Sequence, residues 1–300
     1  MRSRLLRLNI MMRSVVHIVF FFSFLIVKGQ ESHDSVVFAT PLEREVLSAR
    51  DSISDPLLFL MVYDPNLDST GYLIVRDELN AFTDRLNRKR SQFKSDVNFI
   101  RYVFRKVHKK YLHQYIRYGS FNELFYSGNY NCLSGTALYA YILNDLGFEI
   151  RIFETKYHSF LTVNAQGKPE LLIEATDLWN GLVEGNNQVL SRIAEYQRRE
   201  GDVKFGADTL LLIQHPLLTH IQLKELAALH YFNLAVVAFN NALYSNSLCY
   251  LKKAETLYPD SQRIKDLIIY AKDYAQFSMT ESLSPKNSNA INNTYNQKRK

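Results

Sequence analysis

The sequence predicts an α+β fold, in which one helix leads into an antiparallel sheet and further helices precede and follow this core. Apolar residues recur at helical spacing in the first and last thirds of the 300 residues, but alternate with polar residues over 148–174. The alternating segments follow one another without intervening helices, which favours antiparallel over parallel pairing.

The section before residue 119 is predicted to be mostly helical. Pro41 suits the first turn of a helix, where its missing N–H costs no hydrogen bond. Helical spacing of apolar residues continues over 77–87 and over 99–112. Residues 119–131 are expected to form a loop that carries several aromatic side chains.

The period of the apolar pattern changes in the centre of the chain. A helix is predicted from Cys132 to Leu146, with Gly147 as its stop. Three strands are predicted after it, at 148–153, 158–163 and 170–174. The last two are joined by a predicted turn over 164–168, so the helix leads directly into an antiparallel sheet.

Helical spacing returns near the C-terminus. Three helices are predicted there, at 222–243, 247–258 and 261–277. The sequence from Ser278 is rich in Ser, Asn, Lys and Thr and is predicted to be a disordered tail. The predicted organisation is a core domain with a helical N-terminal extension over 31–209, a helical region over 210–277, and the tail over 278–300.

The segment 1–30 is predicted to be a secretory signal peptide. Four arginines precede an almost uninterrupted apolar run from Val15 to Val27, which is short for a membrane span but suits a signal core. We expect cleavage near Gln30, an exported protein that is periplasmic or extracellular, and no stable membrane insertion after cleavage. The alternative is an uncleaved N-terminal membrane anchor.

The basic charge of the chain belongs largely to this leader. The net charge is +6, and the leader holds five basic residues and no acidic one, so the chain after residue 30 carries only +1. Nucleic-acid binding therefore has no support from charge. Eleven basic residues and one acid lie in 85–117, which is typical of a solvated helical face, with an anionic binding surface as the alternative.

Cys132 has the sequence context of a reactive thiol. It stands at the start of its predicted helix, where free N–H groups and the helix dipole favour thiolate over thiol. His158 is the candidate base, because the helix and the first strand form an out-and-back path that returns the chain to the helix start. Cys249 is predicted to lie in the helical region, and the sequence leaves open whether the two cysteines pair.

Two carboxylates compete to orient His158. If the strands at 158–163 and 169–174 pair across their turn, positions that sum to 332 lie opposite each other, and Glu174 then lies opposite His158. Asp177 lies past the strand end and is the alternative third member. A slip of one residue would undo this assignment.

Other catalytic chemistry is not indicated by the sequence. The chain lacks the His-Glu-x-x-His and Cys-x-x-Cys spacings of zinc sites, and it lacks a glycine-rich phosphate loop and a Gly-x-Ser-x-Gly elbow. We therefore expect neither a metal nor an organic cofactor.

A resemblance to the transglutaminase-like superfamily, which has a papain-like core and a Cys-His-Asp order, is carried by three short segments. These segments are Asn131–Ser134, Tyr157–Phe160 and Leu172–Thr176. The resemblance covers residues 95–180, about a third of the chain. Phe160 matches the aromatic residue that usually follows the family histidine by two positions.

The resemblance implies a chemistry for these residues. Cys132 would be the nucleophile and His158 the base, and Glu174 stands where the family usually has Asp. The implied reaction is thiol attack on a peptide or amide carbonyl through an acyl-enzyme. Water as acceptor gives a peptidase or amidase, and an amine as acceptor gives a transglutaminase. The alternative is a catalytically inactive member that binds proteins.

The predicted C-terminal helices resemble one tetratricopeptide repeat followed by a further helix. The matching positions are Tyr231, Leu234, Ala235, Leu251, Ala254 and Pro259. Some bacterial transglutaminase-like proteins are similarly followed by such helices. One repeat is too short for a free solenoid, so a cap packed on the catalytic core is predicted, with a groove for a protein partner as the alternative. A protein or peptide substrate is the expected partner of the thiol site.

Overall fold

The computed structural model describes residues 36–156, 158–164, 171–202 and 218–282. The described residues from Phe38 onward form one compact unit. Several predictions fall outside the described residues: the signal peptide, Tyr157, most of the turn over 164–168, the boundary between residues 209 and 210, and the chain beyond residue 282.

The prediction of an α+β fold is confirmed, because the described residues combine many helices with an antiparallel sheet. A short 3-10 helix spans Arg90–Gln92. The α-helices are α1 (Pro41–Ser48), α2 (Pro56–Met61), α3 (Ser69–Asn87), α4 (Asp96–Tyr111), α5 (Glu123–Tyr126), α6 (Cys132–Asp145), α7 (Asn186–Asp202), α8 (Leu223–Asn240), α9 (Tyr244–Leu257) and α10 (Gln262–Ser282).

The strands form two sheets. They are β1 (Gln114–Tyr115), β2 (Asn129–Tyr130), β3 (Glu149–Glu154), β4 (Ser159–Asn164), β5 (Leu171–Ile173), β6 (Leu182–Glu184) and β7 (Thr219–Ile221). β1 and β2 pair in parallel just before α6. The other five make the main sheet in the order β6-β5-β4-β3-β7, and every neighbouring pair is antiparallel.

Local side-chain caps explain where several helices begin. The Thr40 hydroxyl accepts the N–H of Glu43 directly before Pro41, which confirms the predicted helix start. Asn131 precedes α6 and accepts the N–H of Ser134, whose hydroxyl in turn accepts the N–H of Asn131. This reciprocal cap satisfies two donors at once and fixes the first residue of α6.

The main sheet lies between two helices. α6 packs against β3 and β4 on one face, where Leu161, Val163 and Ile173 join the large core. α7 packs against the other face, where Phe160 and Leu172 form a smaller apolar cluster. α6 also contacts α8, so the C-terminal helices share the large core.

The register predicted for β4 and β5 is wrong by two residues. Leu161 lies opposite Ile173 and Val163 opposite Leu171, so opposed positions sum to 334 and not 332. Extended by the same register, the ladder places Glu174 diagonal to His158 rather than opposite it. A shift of two residues keeps each side chain on its face, whereas a shift of one would have reversed the faces.

Element boundaries also differ from the predictions. The predicted loop over 119–131 contains α5 and β2, and α3 begins at Ser69 rather than at residue 77. α9 begins at Tyr244, three residues before the predicted start. α10 continues to Ser282, so the predicted start of the tail at Ser278 is wrong. Two short strands, β6 and β7, carry too few residues to show an alternating pattern.

Candidate active site

Cys132 is the first residue of α6 and is partly exposed. Among the described residues, neither Cys132 nor Cys249 forms a disulfide. The backbone N–H of a residue at this position has no carbonyl within the helix to donate to. The Asn131 side chain caps the helix from the preceding position and donates to the carbonyl of Gly119 at 2.8 Å. The thiol therefore lies beside the positive end of a capped helix.

His158 is held by the turn between β3 and β4. The N–H of Thr155 donates to the carbonyl of His158 at 2.8 Å, and the N–H of His158 donates to the Thr155 hydroxyl oxygen at 3.1 Å. Thr155 is buried, and the His158 side chain is 23% exposed. The backbone of the histidine is therefore fixed, while one edge of its ring is open to solvent.

The His158 ring contacts both other members of the predicted site. Its Nε2 is hydrogen-bonded to Oε2 of Glu174, and the Cys132 side chain is close enough to raise the pKa of the ring. Because Nε2 is taken by Glu174, Nδ1 is the ring nitrogen that remains for Cys132. The structure thus brings together Cys132, His158 and Glu174.

The electrostatics of this group favour its charged form. Burial opposes charging of the ring, but the hydrogen bonds to Cys132 and Glu174, with their charges, outweigh it and raise the pKa of His158 to about 10. Burial also opposes ionisation of Glu174, yet its bonds to His158 and Thr176 hold its pKa below the ordinary value. The imidazolium therefore persists at neutral pH beside an ionised carboxylate.

Four donors surround the Glu174 carboxylate. Oε1 accepts the N–H and the hydroxyl of Thr176 at 2.9 and 2.7 Å, and Oε2 accepts the Tyr196 hydroxyl at 3.0 Å together with the His158 ring. An ionised carboxylate is an acceptor only, so this set of donors fits it. Oε1 has one side-chain donor and Oε2 has two, which fixes the plane of the carboxylate.

Asp177, the alternative third member, serves the next turn instead. Its Oδ1 accepts the N–H groups of Trp179 and Asn180 at 3.0 and 2.9 Å. The same turn is closed by Gly181, where an added Cβ would lie about 2 Å from the carbonyl oxygens of Asp177 and Glu174. Asp177 therefore shapes the loop that follows Glu174, and the structure does not bring it to His158.

Two contacts hold α6 against the strands that carry the histidine and the carboxylate. The Thr136 hydroxyl, one turn after Cys132, donates to the carbonyl of Ser159 at 3.1 Å. A Cβ added at Gly135 would lie 2.6 Å from the Cβ of Ala175. The helix can therefore approach the segment after Glu174 only because this position is glycine.

Sequence reasoning missed the residues that support the site from a distance. Tyr196 lies on α7, and its ring also packs 5.3 Å from that of His158. His108 lies buried on α4, with Nε2 3.1 Å from the carbonyl oxygen of Ala175. Burial lowers the pKa of His108, so it is a neutral support. Neither contact leaves a pattern in the sequence near the residue that it supports. Thr176 could have been found, because a side chain can accept the N–H of the residue two positions later.

A second buried polar group joins the C-terminal helices to the front of the chain. Lys253 on α9 donates to both oxygens of Glu43 on α1 at 2.8 and 2.9 Å, and the Tyr231 hydroxyl on α8 donates to one of them at 2.8 Å. All three side chains are buried. We refer to Glu43, Tyr231 and Lys253 as the Glu43 cluster.

Within the described ranges, no three His, Cys, Asp or Glu side chains gather into a metal-binding group. No helix among the described residues is both long and apolar enough to cross a bilayer.

No family model, curated protein or solved structure matches this chain. The assignment of the site therefore rests on the geometry of its residues.

Proposed function

We propose that this protein is a thiol enzyme that attacks a peptide or amide carbonyl, with Cys132 as nucleophile, His158 as acid and base, and Glu174 as the group that orients the ring. One observation carries the proposal: the His158 ring is hydrogen-bonded to Glu174 and lies close enough to Cys132 for the thiol to raise the pKa of the ring. A base that touches both a nucleophile and an orienting carboxylate is the arrangement that covalent catalysis requires.

The proposed reaction has two halves. The Cys132 thiolate attacks the carbonyl carbon, and the His158 imidazolium gives its proton to the departing amine, which leaves a thioester on Cys132. Water or a second amine then loses a proton to His158 and attacks the thioester. The acyl group leaves on the acceptor, and the thiolate and imidazolium are restored.

The start of α6 offers charge stabilisation for the tetrahedral intermediate. The backbone N–H of Cys132 points from the first helical position, where helix N–H groups have no intrahelical acceptor. A donor at this place can bind the oxyanion that forms when the adjacent sulfur attacks.

The broader assignment extends this proposal. A helix that carries the nucleophile at its start and packs on an antiparallel sheet supports a transglutaminase-like core, as do the three sequence segments around Cys132, His158 and Glu174. Export from the cytoplasm is supported by the sequence of residues 1–30 alone. A protein partner at the tetratricopeptide-like helices remains a separate proposal that concerns α8 and α9.

Alkylation of Cys132 by iodoacetamide, followed against pH with mass-spectrometric counting of sites, tests the proposal. An ordinary thiol with a pKa of about 8.5 is less than about 1% thiolate at about pH 6, so a His158-stabilised thiolate should react there roughly 100-fold faster. His158→Ala should lose this advantage. Cys249, partly exposed and outside the site, is the internal control for ordinary reactivity.

The outcome separates the enzyme from the binding protein. Fast labelling of Cys132 in acid, lost in His158→Ala, supports the enzyme and justifies a screen of peptide amides with water and amines as acceptors. Labelling that follows the pH profile of an ordinary thiol in both proteins contradicts the proposed enzymatic function. The chain would then be a protein-binding module on the same fold.

A further inference from the structure

The last helix reaches back to the turn that carries His158. Arg263 is the second residue of α10, and its side chain is 10% exposed. One of its terminal nitrogens donates to the carbonyl oxygen of Thr155 at 2.8 Å and to that of Lys156 at 3.1 Å. These carbonyls belong to the turn between β3 and β4, so a C-terminal side chain closes this turn from outside the sheet.

The guanidinium is itself held in place on two sides. Its Nε lies 4.0 Å from a carboxylate oxygen of Glu154, the buried last residue of β3. Its Cζ lies 5.5 Å from the centroid of the Phe232 ring on α8. A planar group fixed by a carboxylate and an aromatic ring loses little freedom when it also binds two carbonyls. The contact with the turn is therefore specific in direction.

Thr155 passes this constraint to the histidine. Its carbonyl is bound by Arg263, while its own N–H and hydroxyl bind the backbone of His158. A path of hydrogen bonds thus runs from α10 through one buried residue to the backbone of His158. The His158 ring, which meets Cys132, is carried by this backbone.

We propose that Arg263 is a positioning residue for the thiol site, and that the C-terminal helices are a working part of it. Arg263 touches none of the reacting atoms. It fixes the turn from which His158 reaches both Cys132 and Glu174. This inference rests on the proposed function, since it concerns the reactivity of the same Cys132 thiol. It also gives the tetratricopeptide-like region a role within the chain.

The experiment measures alkylation of Cys132 against pH in Arg263→Met and Arg263→Lys, beside the wild type. Methionine has similar length but no donor, so the turn loses its closing contact. A misplacement of about 1 Å can cost up to about 100-fold in rate, and we expect the rate at about pH 6 to fall between about tenfold and 100-fold. Lysine keeps the charge and a donor and should recover part of the rate.

A matched control separates positioning from stability. Lys253→Met breaks the other buried ion pair of the C-terminal helices, in the Glu43 cluster, and has no contact with the turn. Thermal unfolding of each variant shows the temperature at which all are folded, and rates are compared there. Lys253→Met should keep the wild-type pH profile even where it lowers the unfolding temperature as much as Arg263→Met does.

A second variant keeps the test decisive should Arg263→Met fail to fold. Thr155→Val removes the hydroxyl that binds His158 and leaves Arg263 and its two acceptor carbonyls in place. It should also slow alkylation in acid. If Arg263→Met or Thr155→Val labels at the wild-type rate while the wild type is fast, the positioning role is overturned and the thiol site stands. A wild type with an ordinary thiol profile instead overturns the proposed function and this inference with it.

Discussion

Two of the cation–carboxylate pairs in the described part of the chain, Glu43–Lys253 and Glu174–His158, differ in what the cation does with its other donors. In the Glu43 cluster, Lys253 is 3% exposed and its ammonium donates to both carboxylate oxygens. In the site, His158 is 23% exposed, and its ring meets Glu174 with one nitrogen and leaves the other for Cys132. In the first pair both hydrogen bonds of the cation end on the same carboxylate, and we call it the closed pair. In the second pair one ring nitrogen is left for a third group, and we call it the open pair.

The difference teaches how the same kind of contact serves stability or chemistry. Lys253 directs both of its hydrogen bonds to one carboxylate, with the rings of Phe38, Tyr231 and Tyr250 around its ammonium, and so joins helices. A histidine between a carboxylate and a sulfur can accept a proton on one side because the other side fixes its charge and tautomer. Breaking the closed pair should therefore change unfolding alone, and breaking the open pair should change reactivity.

The largest expected effect is on stability, from Lys253→Met. This change leaves the Glu43 carboxylate buried without its cation, and removal of one partner of a buried pair costs about 3–5 kcal/mol. Urea unfolding measures the loss. The double variant Glu43→Gln with Lys253→Met, which removes both charges and keeps an acceptor for Tyr231, should recover most of it. Both variants should leave the alkylation rate of Cys132 unchanged. A tenfold change in this rate would contradict the distinction between the two pairs.

The next effect is a pH dependence of stability that belongs to His158. Its folded pKa of about 10 lies above the unfolded value of about 6.5, so its contribution is full below about pH 6.5 and is lost as pH rises through about 10. The difference in unfolding free energy between wild type and His158→Ala should shrink across this window. Glu174, whose folded pKa is lowered, should lose its own contribution only in acid. A difference that stays constant from about pH 6.5 to 10 would contradict the ion pair.

Glu174→Gln sharpens the comparison within the site. The amide places an N–H₂ group among donors that need acceptors, and the ring loses the charge that stabilises its imidazolium. We expect alkylation of Cys132 at about pH 6 to slow by about tenfold or more, since hydrogen bonds to charged groups contribute about 1.5–3 kcal/mol. Glu184→Gln is the matched control, because Glu184 lies on the neighbouring strand β6 and pairs with Arg101 of α4. Equal rates in the two variants would remove Glu174 from the site.

The smallest expected effect comes from Tyr196→Phe. This change removes one neutral donor from Glu174 and keeps the ring that packs on His158. A single hydrogen bond contributes about 0.5–1.5 kcal/mol, which predicts a two- to tenfold slower alkylation, roughly. Tyr274→Phe, at a half-exposed position on α10, serves as control. An effect as large as that of Glu174→Gln would mean that Tyr196 does more than support the carboxylate.

Local chemistry explains why part of the site could be predicted. The cap at Asn131 and the apolar period after it are written within a few residues, and they place Cys132 at a helix start. The alternation of β4 and β5 fixes which residues share a face, so His158 and Glu174 were assigned to the same side. The offset between the strands is set by the length of their connection rather than by alternation, which is why the predicted register is wrong by two.

Long-range contacts explain what could not be predicted. Tyr196 reaches Glu174 from a helix 22 positions away in the chain, and Arg263 reaches Thr155 across 108. Each depends on how whole elements pack, and neither leaves a periodic pattern near the residue it supports. β6 and β7 have three residues each, too few to alternate visibly, so two of the five strands of the sheet were missed.

Thr155 and Arg263 lie far apart in the sequence, so the ribosome makes the turn well before the helix that supports it. At a synthesis rate of about 5–20 residues per second, the 108 positions from Thr155 to Arg263 take roughly 5–20 s to make. During that interval a nascent chain holds its cysteine and histidine but lacks the contact that closes the turn. If Arg263 positions His158 as proposed, Cys132 gains its full rate of alkylation only once the last helix is complete, and a chain truncated before residue 262 should be labelled more slowly in acid.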